Sequence, residues 1–275
     1  MKYRTDKTSL SYQAQNSSSK GKDEILLNSA DDLTANAWGE KGFTVEPLYS
    51  SEEYFHFKRE TETLVRSLWR KSGLKVFDDF DLEEYHHIAG STELHLAAVD
   101  QTKLIGTSLF PLGVEKLEER ISEICEKPLI AHNPFDGQSV FHFRVVRPQS
   151  KDNNPLHRDV WLEDYKDCIN LYIPVAGSNN NSSLIIAPGS HRWPESKVER
   201  TLSGAEIEGV KFNVPAVTAI EGDDVTFIRP DPKSNEVLVF SPYLIHGGSV
   251  NLNEKVTRIS IEIRLWKNDQ RYRSL

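Results

Sequence analysis

Thr257-Arg258-Ile259-Ser260-Ile261-Glu262-Ile263-Arg264-Leu265-Trp266 alternates polar and apolar side chains without interruption from Arg258 to Leu265. Strict alternation predicts a β-strand with one apolar and one polar face. Arg258, Ser260, Glu262 and Arg264 share one side; Ile259, Ile261, Ile263 and Leu265 share the other. Similar β-rich runs precede it at 139–146, 168–175, 183–187, 225–228 and 237–240. Gly, Pro, Asn and Asp cluster between these runs, as turns require. Several short strands without alternating helices predict an antiparallel sandwich or barrel rather than a parallel sheet.

Before residue 128 the periodicity is helical. Ser51-Glu52-Glu53 opens a helix with acids at its positive end, Phe55, Leu64, Val65 and Leu68 form its expected apolar face, and Gly73 ends it. Further helices are expected over 81–88 and 114–125. Residues 1–36 are polar and aperiodic and read as a mobile tail or loosely docked arm. Residues 37–275 read as one domain, mainly β, with a helical N-terminal layer on a β core at about 128–268.

Composition narrows the function. Hydrophobic residues make up 38% of the 275, enough for a packed core. Two cysteines, Cys125 and Cys168, cannot build a disulfide framework and suggest a reducing, cytoplasmic setting. No apolar run approaches membrane-span length and no secretory signal is expected. Lys and Arg number 33 against 41 Asp and Glu, a net charge of −8. An acidic chain without a basic stripe is poorly suited to nucleic acid. A small-molecule partner is expected; oligomeric state is unreadable.

Chemistry concentrates in His157-Arg158-Asp159. Residues i and i+2 of an extended segment point to one face, so one imidazole and one carboxylate can meet. A lone His-x-Asp occurs by chance in many proteins. It gains weight from His246 in Leu244-Ile245-His246-Gly247-Gly248, after the apolar run at 237–240. Two His and one carboxylate on one face of a metal leave the opposite face open, the arrangement suited to non-haem Fe(II) and O2 chemistry. Arg258 follows twelve residues later, where a hairpin would return a strand beside that of His246. Its guanidinium can grip a carboxylate, and Ser260 on the same face can add a hydrogen bond.

Pro155-Leu156-His157-Arg158-Asp159, Cys168-Ile169-Asn170-Leu171-Tyr172-Ile173-Pro174, Ala187-Pro188-Gly189-Ser190-His191, His246-Gly247-Gly248 and Arg258 together resemble the phytanoyl-CoA dioxygenase family. These are Fe(II)- and 2-oxoglutarate-dependent oxygenases with a double-stranded β-helix (jelly-roll, cupin-like) core. The resemblance implies His157, Asp159 and His246 as iron ligands and Arg258 as partner of the distal carboxylate of 2-oxoglutarate. It places Asn170 at a cosubstrate contact and Ser249 near a polar position after the distal His, although the interval from His246 to Arg258 is one residue longer than in relatives. The implied reaction consumes O2, splits 2-oxoglutarate to succinate and CO2, and hydroxylates an unactivated C–H. Halogenating relatives carry a small residue in place of the carboxylate, so Asp159 favours hydroxylation; desaturation, epoxidation and ring formation stay open.

Other residues have competing readings. His142 and Arg144 either line the cavity and touch substrate or lie on a solvated outer face. Trp161 forms a cavity wall or simply packs. His191 caps or packs near the cavity, Arg264 is an ion-pair or rim residue, and Asp223-Asp224 is a turn. Specificity is expected from the helical first third and from loops around Asn179 and Lys233. The rival function is a cupin-type metal-binding jelly roll acting as isomerase, sensor or silent scaffold, which has no need of Arg258. Oxidation of a protein side chain is a third reading.

Overall fold

The computed structural model describes residues 1–5, 8–23, 32–150, 152–162, 165, 167–222 and 225–268. Strands β1 (Lys2–Arg4), β2 (Ser9–Ser11), β3 (Ser18–Lys20) and β4 (Phe43–Pro47) precede helix α1 (Ser51–Lys71). Helices α2 (Tyr85–Ile88) and α3 (Thr92–Gln101), strand β5 (Ile105–Gly106) and helix α4 (Val114–Cys125) follow. The rest is β: β6 (Leu129–Ile130), β7 (Val140–Val146), β8 (Cys168–Ala176), β9 (Val198–Thr201), β10 (Ala205–Ile207), β11 (Val210–Phe212), β12 (Val217–Ile220), β13 (Glu236–Phe240) and β14 (Arg258–Lys267).

The main sheet runs β4-β13-β8-β14-β7-β5, with β6 also on β14; the pairings within it are antiparallel. The facing wall is built of single bridges: Ile228 to Ile186, Ile186 to His246, and His246 to His157. The amide of Val217 then donates to the Leu156 carbonyl at 2.8 Å, joining this wall to the sheet β12-β9-β3. Two facing antiparallel layers make the double-stranded β-helix. The alternation of β14 explains why the layers differ. Ile259, Ile261, Ile263 and Leu265 are buried in one cluster with Val65, Leu68 and Trp69 of α1 and Leu117 and Ile121 of α4. The polar face of the same strand therefore looks the other way, into the space between the sheets.

Local signals hold with small shifts. A capping box starts α1 one residue before the expected cap: Ser50 Oγ accepts from the Glu53 amide, and the Glu53 carboxylate accepts from the Ser50 amide. Phe55 is 63% exposed, and Phe57 instead fills the core, because the inward face of α1 is set by Phe57, Thr61, Val65, Leu68 and Trp69. Helix α3 and strands β9 to β12 were not expected; they are too short or too weakly alternating to stand out.

The N-terminal segment takes the docked of its two readings. Residues 1–5 and 8–20 form a layer on the core: β1 pairs with β2, β3 pairs with β9, and Arg4 bridges Thr226. The polar composition left both readings open because anchoring falls to few side chains. Tyr3 is buried in a cluster with Leu156, Phe227 and Ile245, and its hydroxyl donates to the Gly248 carbonyl at 2.6 Å. Tyr12 donates likewise to Val217 at 2.6 Å. The chain end at 269–275 and Asp223-Asp224 lie outside the described residues.

Tyr3→Ala should therefore destabilise the whole domain by about 3 kcal/mol, as loss of a buried aromatic does. Tyr3→Phe should cost about 1 kcal/mol, the hydrogen bond alone. Urea unfolding measures both; wild-type stability of Tyr3→Ala would show that this segment contributes nothing to the folded unit.

Candidate metal centre

His157 and His246 face each other across one narrow antiparallel bridge. The His157 amide donates to the His246 carbonyl at 2.9 Å, and the His246 amide returns the bond at 3.0 Å. Arg158 is extended (φ −113°, ψ 136°), and Asp159 then opens a 3-10 turn rather than continuing a strand. One extended residue between them still brings His157 and Asp159 to one side. The ligand atoms of His157, Asp159 and His246 all lie within 4.8 Å of one another, and all three residues are buried.

Tautomer and orientation are set by the backbone. His157 Nδ1 lies 2.7 Å from the Pro155 carbonyl and His246 Nδ1 lies 2.9 Å from the Leu244 carbonyl. A carbonyl only accepts, so both Nδ1 atoms donate to the backbone and Nε2 is the ring atom each histidine turns toward the centre. Burial pushes the His246 imidazole down to about 4, so the ring is neutral at physiological pH. Asp159 Oδ1 lies 3.2 Å from His157 Nε2 and 3.8 Å from His246 Nε2. Its Oδ2 accepts from Arg264 Nη2 at 2.9 Å and Nε at 3.2 Å. Burial opposes ionisation of Asp159, but the Arg264 guanidinium together with His246 and His157 outweighs it and holds the carboxyl well below the usual range. The set thus offers two imidazole Nε2 atoms and one carboxylate oxygen toward one point, which fits a divalent, non-haem iron-type ion.

The supports lie behind the ligands. Arg158 points away from the centre, is fully buried, and donates to Glu195, to the Ser190 carbonyl at 2.6 Å and to the Trp193 carbonyl at 3.1 Å. Ser190 Oγ accepts from the Ile245 amide at 2.8 Å. The Pro-Gly-Ser-His turn therefore ties the residue between the first two ligands to the residue before the third. Gly247 has φ +108°, and a Cβ there would lie 2.3 Å from the Pro155 carbonyl oxygen, so only glycine allows this turn.

The cavity over the centre is lined by the three candidate ligands and by Arg144, Asn170, Ser249, Arg258, Glu262 and Arg264 among others. Arg258 is 2% exposed. Its Nη1 donates to the Ser182 carbonyl at 3.2 Å, and its Nε has no hydrogen-bond partner. Both amide atoms of Asn170 and the Ser260 hydroxyl are also buried without partners, although Ser260 is not among the lining residues. Ser249 lines the cavity, but its hydroxyl serves the backbone, accepting from the Ile185 amide at 2.8 Å and donating to Gly247 at 3.2 Å.

Several expectations need correction. The strand of Arg258 is not beside that of His246: β14 lies between β8 and β7 in the main sheet, and His246 belongs to the facing wall. The connecting residues cross between sheets, and the two side chains meet across the gap. His142 is not among the lining residues; its Nδ1 accepts from the Leu104 amide at 3.0 Å. Trp161 is not a cavity wall: its Nε1 donates to Glu195 at 2.9 Å and Arg200 stacks over its ring. His191 Nε2 pairs with the Gly39 carbonyl at 2.9 Å, away from the cavity. The helical layer and the loops at Asn179 and Lys233 contribute no lining residue, because the helices cover the opposite face of the sheet. Asn153, Asn154, Tyr172, Leu184, Phe240 and Glu262 line it instead; the signal for Glu262 was its place on the face of Arg258.

Among the described residues no helix is long and apolar enough to cross a membrane. A search of curated proteins found no match. Solved structures with similar folds include AviO1 from Streptomyces viridochromogenes Tue57, 16% identical, covering 83% of this chain and 91% of that one, TM-score 0.47. EctD from S. alaskensis, solved with 2-oxoglutarate and 5-hydroxyectoine, is 13% identical over 93% of this chain and 86% of that one, TM-score 0.46. SnoK, a non-haem α-ketoglutarate-dependent carbocyclase from nogalamycin biosynthesis, is 12% identical over 91% and 88%, TM-score 0.46. The family model for phytanoyl-CoA dioxygenase (PhyH) matches residues 38–260. By that match the chain belongs to the phytanoyl-CoA dioxygenase family of Fe(II)- and 2-oxoglutarate-dependent oxygenases.

Proposed function

We propose that this chain uses Fe(II), 2-oxoglutarate and O2 to hydroxylate a C–H bond of a small metabolite, releasing succinate and CO2. The observation that carries the reading is the buried polar face of β14. Arg258 Nε and Ser260 Oγ, with the Asn170 amide on β8, are polar groups shut away from water without partners. Such groups are costly unless a ligand satisfies them. A carboxylate on Arg258 would satisfy its free Nε edge, which a metal-only scaffold leaves orphaned, and this disfavours the cupin-type alternative.

His157, Asp159 and His246 would hold the ion at the wall of the cavity they line. Bound iron supplies the oxidising power that the protein's own side chains lack. Arg264 keeps Asp159 ionised and engages Oδ2, so Oδ1 remains the ligand atom. Arg258 anchors the distal carboxylate of the cosubstrate at the closed end. Arg158 and Glu195 fix the backbone between two ligands from behind. The surrounding Tyr172, Leu184 and Phe240 keep the centre dry.

Succinate should form from 2-oxoglutarate only when Fe(II) is added; a folded protein that binds neither would end this reading. Arg258→Ala should weaken 2-oxoglutarate binding by roughly tenfold to a hundredfold, the scale of a lost charge-assisted pair, and leave Fe(II) binding unchanged. Titration calorimetry separates the two, and equal 2-oxoglutarate affinity would contradict the role of Arg258. Arg158→Met should destabilise the fold by about 3–5 kcal/mol, since it strands a buried Glu195. Adding Glu195→Met should recover part of that loss by removing the uncompensated charge; a double variant weaker than the single one would refute the clamp.

A further inference from the structure

The polar face of β14 is graded from closed to open. Arg258 and Asp159 are about 2% exposed, whereas the Arg264, Glu262 and Arg144 side chains are 22%, 25% and 32% exposed. The first pair is the floor and the other three form the mouth. Two of the mouth residues are arginines with an unused edge. Arg144 spends Nε and Nη2 on Glu262, with Nη2 at 2.9 Å. Arg264 spends Nε and Nη2 on Asp159, and its Cζ sits over the Tyr165 ring, 4.1 Å from the centre. Among the described residues neither Nη1 has a hydrogen-bond partner.

The charges of the cavity do not cancel. Three arginines (144, 258 and 264) face two carboxylates, Asp159 and Glu262. Ferrous ion and 2-oxoglutarate carry equal and opposite charge, so loading leaves one positive charge over. Lys103, close enough to act on His142 alongside Arg144 and Arg264, adds to the same sign at that side. A largely buried site with an uncompensated charge favours a ligand of opposite sign.

We infer that the substrate is a small, singly charged oxyanion that docks its charge on the free edges of Arg144 and Arg264. This rests on the oxygenase reading, because the count includes iron and 2-oxoglutarate. Guanidinium forks suit carboxylate and phosphodiester oxygens alike. Glu262 acts as a specificity residue: by occupying two donors of Arg144 it limits the mouth to one negative charge.

The test is calorimetry on the Fe(II)-loaded protein without O2, with 2-oxoglutarate saturating so that added anions cannot take Arg258. Butyrate, dimethyl phosphate, butyramide and butylamine are the probes. The anions should bind about tenfold or more tighter than the amide or the amine. Whichever anion binds better identifies the oxyanion type. Glu262→Gln, which frees Arg144, should tighten anion binding several-fold, and Arg144→Gln should weaken it by a similar factor. Amide or amine binding equal to that of both anions, or variants that shift affinity in the same direction, would overturn the assignment. The comparison of probes on the wild-type protein stands even if a variant does not fold. The preceding 2-oxoglutarate titration is separate: its failure overturns the oxygenase reading, whereas a good 2-oxoglutarate signal with no anion preference overturns only the substrate class.

Discussion

The site depends on one reciprocal pair of backbone hydrogen bonds, between His157 and His246. The two residues are far apart in sequence and lie in a wall made of isolated bridges rather than long strands. Their side chains converge because that bridge leaves no freedom in register: a slip of one residue would turn one imidazole out of the cavity. Much of the surrounding structure can be read as protection of this register. Arg158 and Ser190 clamp it from behind, Gly247 allows the close approach to Pro155, and Tyr3 fastens the Gly248 carbonyl from the outside.

The second constraint is the alternation of β14. Its isoleucines are the floor on which the helical layer packs, and its polar residues line or back the cavity. The same ten residues thus hold the fold together and furnish Arg258, Glu262 and Arg264 to the site. A polar face buried between two sheets is unstable by itself. Here it is offset partly by internal pairs, Arg144 with Glu262 and Arg264 with Asp159. What those pairs leave unsatisfied on the cavity wall, at Arg258 and Asn170, is where a ligand would be held under the proposed function. Burial opposes ionisation of Glu262, but Arg144, with Arg258 and Arg264, outweighs it and lowers its carboxyl to about 2, so Glu262 stays charged across the physiological range.

Legibility followed range. The alternation of 258–265, the caps around α1 and the spacing of α4 are local patterns, and each appears within one residue of its expected place. The three ligand candidates were legible because residue type and order carry that chemistry. Direction and partnership were not. Trp161 and His142 sit close in sequence to cavity residues, but their side chains are taken up by Glu195 and the Leu104 amide. The docking of residues 1–5 and 8–20 hangs on Tyr3 and Tyr12, two side chains in a largely polar run. The placement of β14 in the sheet opposite His246 is a long-range choice that a hairpin-like spacing misrepresents.

The most direct test of the centre is visible absorption during anaerobic addition of Fe(II) and then 2-oxoglutarate. The account predicts binding of a single equivalent of Fe(II), with a charge-transfer band that appears only when both are present and is missing in His246→Ala. Absence of Fe(II) binding by the folded wild-type protein, or a band indifferent to the loss of His246, would contradict it.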